Sequence, residues 1–214
     1  LYLNSTIHSF DSGDTVNYWE APPAWEVDSA KLYSPSGEVI VDWHNNPLHL
    51  FSYSPSFSGI VSRDELEGHL LSIPSKPERI PFHFRNQYRF WDPSWGFCLS
   101  DNVRKNLPPG NYSVEIKTRF EAGRMEMVEQ VIEGKFAESL LLIGHFDHPY
   151  MCNDGLVGCL AGHEALSRLT NKKTKLTYRM LSTVEIIGSA FYADRLAKKH
   201  RVKEGLFVAS SGAK

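Results

Sequence analysis

The chain has 214 residues, enough for one large domain or two small ones with cores of their own. Its 42% hydrophobic and 22% charged residues exclude wholesale disorder, and a net charge of −2 excludes a sequence-independent nucleic-acid binder. The longest apolar run, Leu140 to Ile143, is far short of the roughly 20 residues that span a bilayer, so no membrane partner is expected.

Three cysteines, Cys98, Cys152 and Cys159, cannot form a disulfide framework and favour a reducing, cytoplasmic compartment. The chain opens on Leu1 rather than Met, which suggests a piece of something longer. Asn4-Ser5-Thr6 and Asn111-Tyr112-Ser113 match the glycosylation sequon, with nothing else in the sequence to suggest secretion.

Composition changes partway along. All five tryptophans lie between Trp19 and Trp95, and the first 134 residues carry a net −7 against +5 for the rest. A domain boundary is therefore expected near Gly134, separating residues 1–134 from residues 135–214.

The first part reads as short strands broken by turn residues. Pro35-Ser36-Gly37 separates Ala30–Tyr33 from Glu38–Val41 as a hairpin. Arg63 to Leu71 is the one helical stretch, with Leu66, Leu70 and Leu71 on one face. Asn111 to Phe120 alternates apolar and polar residues as a half-buried strand does. The expected class is an antiparallel, β-rich sandwich or barrel. The aromatic stretch Phe84 to Phe97 is read as core or interface ahead of a carbohydrate-stacking surface.

The second part changes period. Glu138–Gly144 is a strand covered on both faces, and Gly155–Leu169 a helix with Leu156, Leu160, Leu166 and Leu169 as its buried stripe. Lys175–Leu181, Gly188–His200 and Gly205–Ala209 continue as strand, helix and strand. That order predicts a doubly wound, mainly parallel α/β sheet.

Ligands in open α/β sheets bind past the carboxyl ends of the strands. There the sequence places His145, Asp147 and His148, then Asp154, and after the second strand Glu185. Imidazoles and carboxylates together are the ligand set of hydrolytic zinc sites. His145 is the leading ligand, and Asp147, two residues on in an extended chain, would orient it. Asp154 suits a helix N-cap as well as a metal. Glu185 suits a general base as well as a surface acid. His148 is expected to point elsewhere because of its odd offset from His145. The two cysteines nearby lack CxxC spacing, and Ser210-Ser211-Gly212 lacks the nucleophile elbow.

His145-x-Asp147 followed by Asn153-Asp154-x-x-x-Gly158 resembles the zinc aminopeptidase family that includes bacterial leucyl aminopeptidases and glutamate carboxypeptidases. The resemblance implies that His145 binds zinc, that Asp147 orients it, and that Asp154 bridges two zincs. The wider chain is similar to an aminopeptidase-like branch associated with bacterial surface-polysaccharide clusters, in which a β-rich domain is inserted into the peptidase core. Pro23-x-Trp25-x-Val27, Asn46-x-Leu48-His49-Leu50, Trp95 to Ser100 and Glu185-x-Ile187-Gly188-Ser189 carry that likeness.

The paired acids of better-known members would fall on Ser182-Thr183, and Glu185 fits only the branch's shorter pattern. An acid expected near Ala213 is absent, and a further His ligand would lie beyond Lys214. Two functions follow as expectations. The first is a zinc hydrolase acting on a short peptide or an N-acyl group of a sugar precursor, as a monomer or homo-oligomer. The second is an inactive scaffold whose β-domain binds a protein or glycan.

Overall fold

In the computed structural model the chain is described over residues 5–210. Asn4 of the first sequon, and Ser211, Gly212 and Ala213, lie outside the described residues. The chain forms two units, Ala24–Glu121 on one side and Leu1–Pro23 with Ala122–Lys214 on the other. The division thus falls at both ends of an insertion rather than near Gly134. The physical reason is strand pairing: the N-terminal strand and the strand before Gly134 both belong to the sheet of the second part.

In chain order, β1 (Ser5–Asp11) is followed by a two-stranded hairpin, β2 (Thr15–Val16) with β3 (Trp19–Glu20). The inserted unit then opens with β4 (Ala24–Tyr33) and β5 (Val39–Asp42), the expected hairpin. β6 (Phe57–Ser62) leads into α1 (Arg63–Glu67), which Ser62 caps by accepting from the Glu65 N–H. This helix is shorter than expected: it ends at Gly68, and Leu70–Leu71 become β7. Two further short helices, α2 (Arg85–Tyr88) and α3 (Asp101–Lys105), flank β8 (Phe97–Cys98), which pairs in parallel with β7.

β9 (Asn111–Glu121) closes the unit's antiparallel sheet, ordered β5-β4-β9-β6. Its alternation is visible in burial, with Tyr112, Val114 and Ile116 inward against Leu32, Leu66 and Phe97. The aromatic stretch largely follows the structural reading. Trp95 stacks between His69 and Phe57, whereas Trp91 and Phe84 remain exposed.

The other unit is built on five strands, β1, β10 (Arg124–Ile132), β11 (Ser139–His145), β12 (Thr177–Thr183) and β13 (Val202–Phe207). The sheet order is β1-β10-β12-β11-β13. β11 is parallel to both β12 and β13, while β10 and β1 extend the sheet antiparallel. The α/β class therefore holds, with the parallel part confined to three strands.

Between them run α4 (Val157–Ser167), preceded by a π-turn at Cys152–Leu156, and α5 (Ile187–Tyr192), continued by Ala193–Ala197. On β10 and β12, Gln130 and Ser182 meet His163 of α4, whereas their neighbours Glu129 and Thr183 meet Tyr192 and Gly188 of α5. Because adjacent strand residues face opposite ways, the two helices cover opposite faces.

The buried stripe of α4 is only partly the one expected: Leu166 is buried and Leu169 packs against the same core. Leu156 and Leu160 are exposed, and the helix docks through Gly158, Cys159, Gly162, His163 and Leu166. Small residues let the helix axis approach the sheet closely, so Leu156 and Leu160 are not needed at that face.

Candidate metal centre

The order β12-β11-β13 makes β11 the strand at which the chain's winding reverses, with α4 leaving to one side and α5 serving the other. In such sheets the crevice opens at the carboxyl end of that strand. His145 is the last residue of β11 and is fully buried.

His145 is held from three directions. Its Nδ1 lies 3.1 Å from Asp147 Oδ1, and the ring stacks at 5.7 Å on Phe207. Its backbone carbonyl accepts from Cys159 Sγ at 3.3 Å, a thiol whose pKa burial pushes up. A carboxylate can only accept, so in the neutral ring the Nδ1 contact puts the proton there and the lone pair on Nε2.

That Nε2 is buried and has no hydrogen-bond partner of acceptable geometry among the described residues. Asp154 Oδ1 lies 3.1 Å away but out of line for a hydrogen bond. The space in front of the ring depends on Gly155. A Cβ there would stand 2.6 Å from His145 O and 2.7 Å from Nε2, inside van der Waals contact.

Asp154 does not cap α4. Its backbone, at φ −127° and ψ 76°, stands outside the helical region within the π-turn, and the cap position shows no side-chain hydrogen bond. Its carboxylate stands instead beside His145 Nε2.

His148 also belongs to the cluster. The donor atoms of His145, His148 and Asp154 all lie within 4.8 Å of one another, and the two rings meet edge-on at 4.9 Å. The offset rule fails because β11 ends at His145. The chain then turns, with Tyr150 in the left-handed region at φ 56°, so period-two alternation no longer sets direction. The signal available was proximity alone, since His148 was already among the residues past the strand end.

Glu185 reaches the same place from β12, its Oε2 3.3 Å from His148 Nε2 and its N–H donating to Asp147 Oδ1 at 3.2 Å. Beneath the site, on the α4 side, the buried His163 bridges Gln130 Oε1 and Ser182 Oγ, and burial lowers its pKa.

A domain of unknown function, DUF2172, matches residues 24–119, nearly the whole inserted unit. A Clostridium acetobutylicum protein, whose name assigns it to polysaccharide biosynthesis with an aminopeptidase-like domain, is 33% identical over 207 residues. The alignment covers 96% of this chain and 47% of that protein. The chain is a homologue of that aminopeptidase-like protein.

A crystal structure from the same organism, given as a peptidase, superposes with a TM-score of 0.86 at 33% identity. It matches 98% of this chain and 49% of its own. BSAP, a zinc aminopeptidase from Bacillus subtilis, shares the fold with a TM-score of 0.61 at 13% identity, over 96% of this chain and 58% of BSAP. The chain thus spans about half the length of the aminopeptidase-like relatives it matches. Among the described residues no helix is long and apolar enough to cross a membrane.

Proposed function

We propose that this aminopeptidase-like chain is part of a zinc-dependent hydrolase of amide bonds, with His145 and Asp154 holding the metal. One observation carries the reading: a fully buried imidazole whose Nδ1 is committed to Asp147 and whose Nε2 faces Asp154 with no hydrogen-bond partner. Burying such a nitrogen without a partner costs about 1–3 kcal/mol, which a bound cation offsets. The donor set, imidazole and carboxylate oxygen, suits zinc.

Zinc bound there would supply a Lewis acid for an amide carbonyl and bring the pKa of water towards neutrality. Asp147 keeps His145 in the tautomer that presents Nε2. Phe146, Tyr150, Met151 and Leu156 line, with His148 and Cys152, a small hollow of about 150 Å³ beside the cluster. Its apolar lining fits an acyl chain or an apolar N-terminal side chain. The substrate class is accordingly a short peptide or an N-acyl group on an amino-sugar precursor. The name of the Clostridium relative favours the sugar context.

Elemental analysis of the purified chain, alongside His145→Ala and Asp154→Ala, tests the reading. Zinc near one per chain in the parent protein and none in either variant is expected. A chain that stays metal-free after reconstitution with zinc would overturn it.

A further inference from the structure

Resting on that metal-site reading, we infer that His148 is a third metal ligand and that Glu185 is its positioning residue rather than the general base. The cluster contains two imidazole–carboxylate pairs: His145 with Asp147 at 3.1 Å, and His148 with Glu185 at 3.3 Å. The pairing carboxylate stands at Nδ1 in the first and at Nε2 in the second, with Asp147 Oδ2 farther off, 4.0 Å from His148 Nδ1. The opposite nitrogens are Nε2 of His145 and Nδ1 of His148. Ligating histidines show this arrangement, with the non-ligating N–H donated to a carboxylate that fixes the ring.

The two pairs converge on Asp154, the three donors lying within 4.8 Å of one another. Zinc bonds to nitrogen and oxygen are about 2.0–2.2 Å long, so a small inward movement closes the set. His148 is itself suited to a ligand, since its side chain is 5% exposed and therefore held in place.

Backbone geometry supports the role of Glu185. Ile186 sits at φ 58° and ψ −65°, and Glu185 O accepts from the Ile187 N–H at 2.6 Å. That is a γ-turn centred on a β-branched residue, a conformation costing on the order of 1–3 kcal/mol. The turn ends β12 and starts α5 within three residues, which holds Glu185 back against His148. Asp147 ties the pairs together, because one oxygen serves both His145 Nδ1 and the Glu185 N–H. A carboxylate held in this way orients a ring.

The test is zinc affinity, measured by chelator competition on the 214-residue chain and on His148→Ala, Glu185→Ala and Glu185→Gln. The visible spectrum of the cobalt-loaded chain reports the ligand set independently of turnover. His148→Ala is expected to weaken zinc by 100-fold or more and to change the cobalt spectrum. Glu185→Ala is expected to weaken it by about 10–100-fold. Glu185→Gln, which can still accept from the ring N–H, should fall between Glu185→Ala and the parent protein, so the series remains informative if one variant folds poorly.

Wild-type zinc affinity in the Glu185 variants would overturn the positioning role. Wild-type affinity in His148→Ala, with binding abolished in His145→Ala, would overturn the third ligand while leaving the metal site standing. Failure of the parent protein itself to bind zinc would overturn the site reading as a whole.

Discussion

Replacing Gly188 by alanine tests how the site's second wall is built. Gly188 lies in the first turn of α5, three residues after Glu185. A Cβ there would stand 1.8 Å from Thr183 Oγ1, 3.0 Å from Thr183 Cβ and 3.3 Å from its Cγ2. Ordinary carbon contacts are about 3.5–4.0 Å, so the closest overlap exceeds an ångström, and Thr183 is fully buried with little room to turn. Overpacking of this kind costs about 1–3 kcal/mol.

Thr183→Ala should relieve the clash. It deletes a buried hydroxyl that has no hydrogen-bond partner, a gain of about 1–3 kcal/mol. It also deletes a methyl group, a loss of about 0.8 kcal/mol. Alone it should therefore be neutral or slightly stabilising. In the double variant the nearest contact becomes 3.0 Å, which a few tenths of an ångström of helix movement relieves.

Urea denaturation of the four proteins should show a favourable coupling of about 1–2 kcal/mol. At roughly 2–4 °C per kcal/mol for a chain of this size, Gly188→Ala should melt several degrees lower, with most of the loss recovered in the double variant. Gly188→Ala as stable as the parent protein, or strict additivity of the two changes, would refute the close approach of α5 to β12.

Three further outcomes are expected. Burial, aided by the charge of Arg85, pushes the His83 imidazole down from 6.5 to about 4, so below pH 6.5 the unfolded chain takes up a proton that the folded chain refuses. Stability should fall as pH drops from 6.5 towards 4, more shallowly in His83→Phe, and an unchanged slope in thermal melts would contradict this. Of the three thiols, Cys152 is exposed while Cys98 and Cys159 are buried, Cys98 with its pKa pushed up to about 12. A colorimetric thiol reagent should therefore titrate one equivalent in the native chain and three after unfolding; fast reaction of two or more would be inconsistent. Leu166→Ala, at a fully buried position, should cost about 2–5 kcal/mol in urea melts, whereas Leu160→Ala should stay within about 0.5 kcal/mol. The reverse ranking would place Leu160 rather than Leu166 at the docking face.

What was legible in the sequence was local. The alternation on β9, the apolar run of β11 and the strand–helix rhythm after it all follow from side-chain periodicity, and the structure bears them out. The gathering of His145, Asp147 and Asp154 followed from one topological rule, that strand ends in a parallel sheet are neighbours. Three features were not legible, each for a physical reason. β1 joins β10 through pairs such as Ser9 with Glu126, a contact across more than a hundred residues that no local pattern signals. Apart from Leu166, the docking face of α4 is made of Gly158, Cys159, Gly162 and His163, so it carries little hydrophobic signal, while Leu156 and Leu160 face outward. His148 lies past the end of its strand, where alternation gives no direction.

The site also shows why the acid positions were hard to place from sequence. Ser182 and Thr183, where the paired acids of better-known members would fall, are both spoken for by the fold: Ser182 accepts or donates to His163 on one face, and Thr183 packs on Gly188 on the other. Glu185 comes close to the histidines only because the chain leaves β12 through the γ-turn at Ile186, which shortens the path from strand end to helix start. If the proposed site draws a carboxylate from the turn, that turn must be rigid, and Gly188, two residues past Ile186, sits close against Thr183. The Gly188→Ala clash should therefore weaken zinc binding along with stability, whereas a loss of stability with zinc affinity unchanged would separate the turn from the metal site.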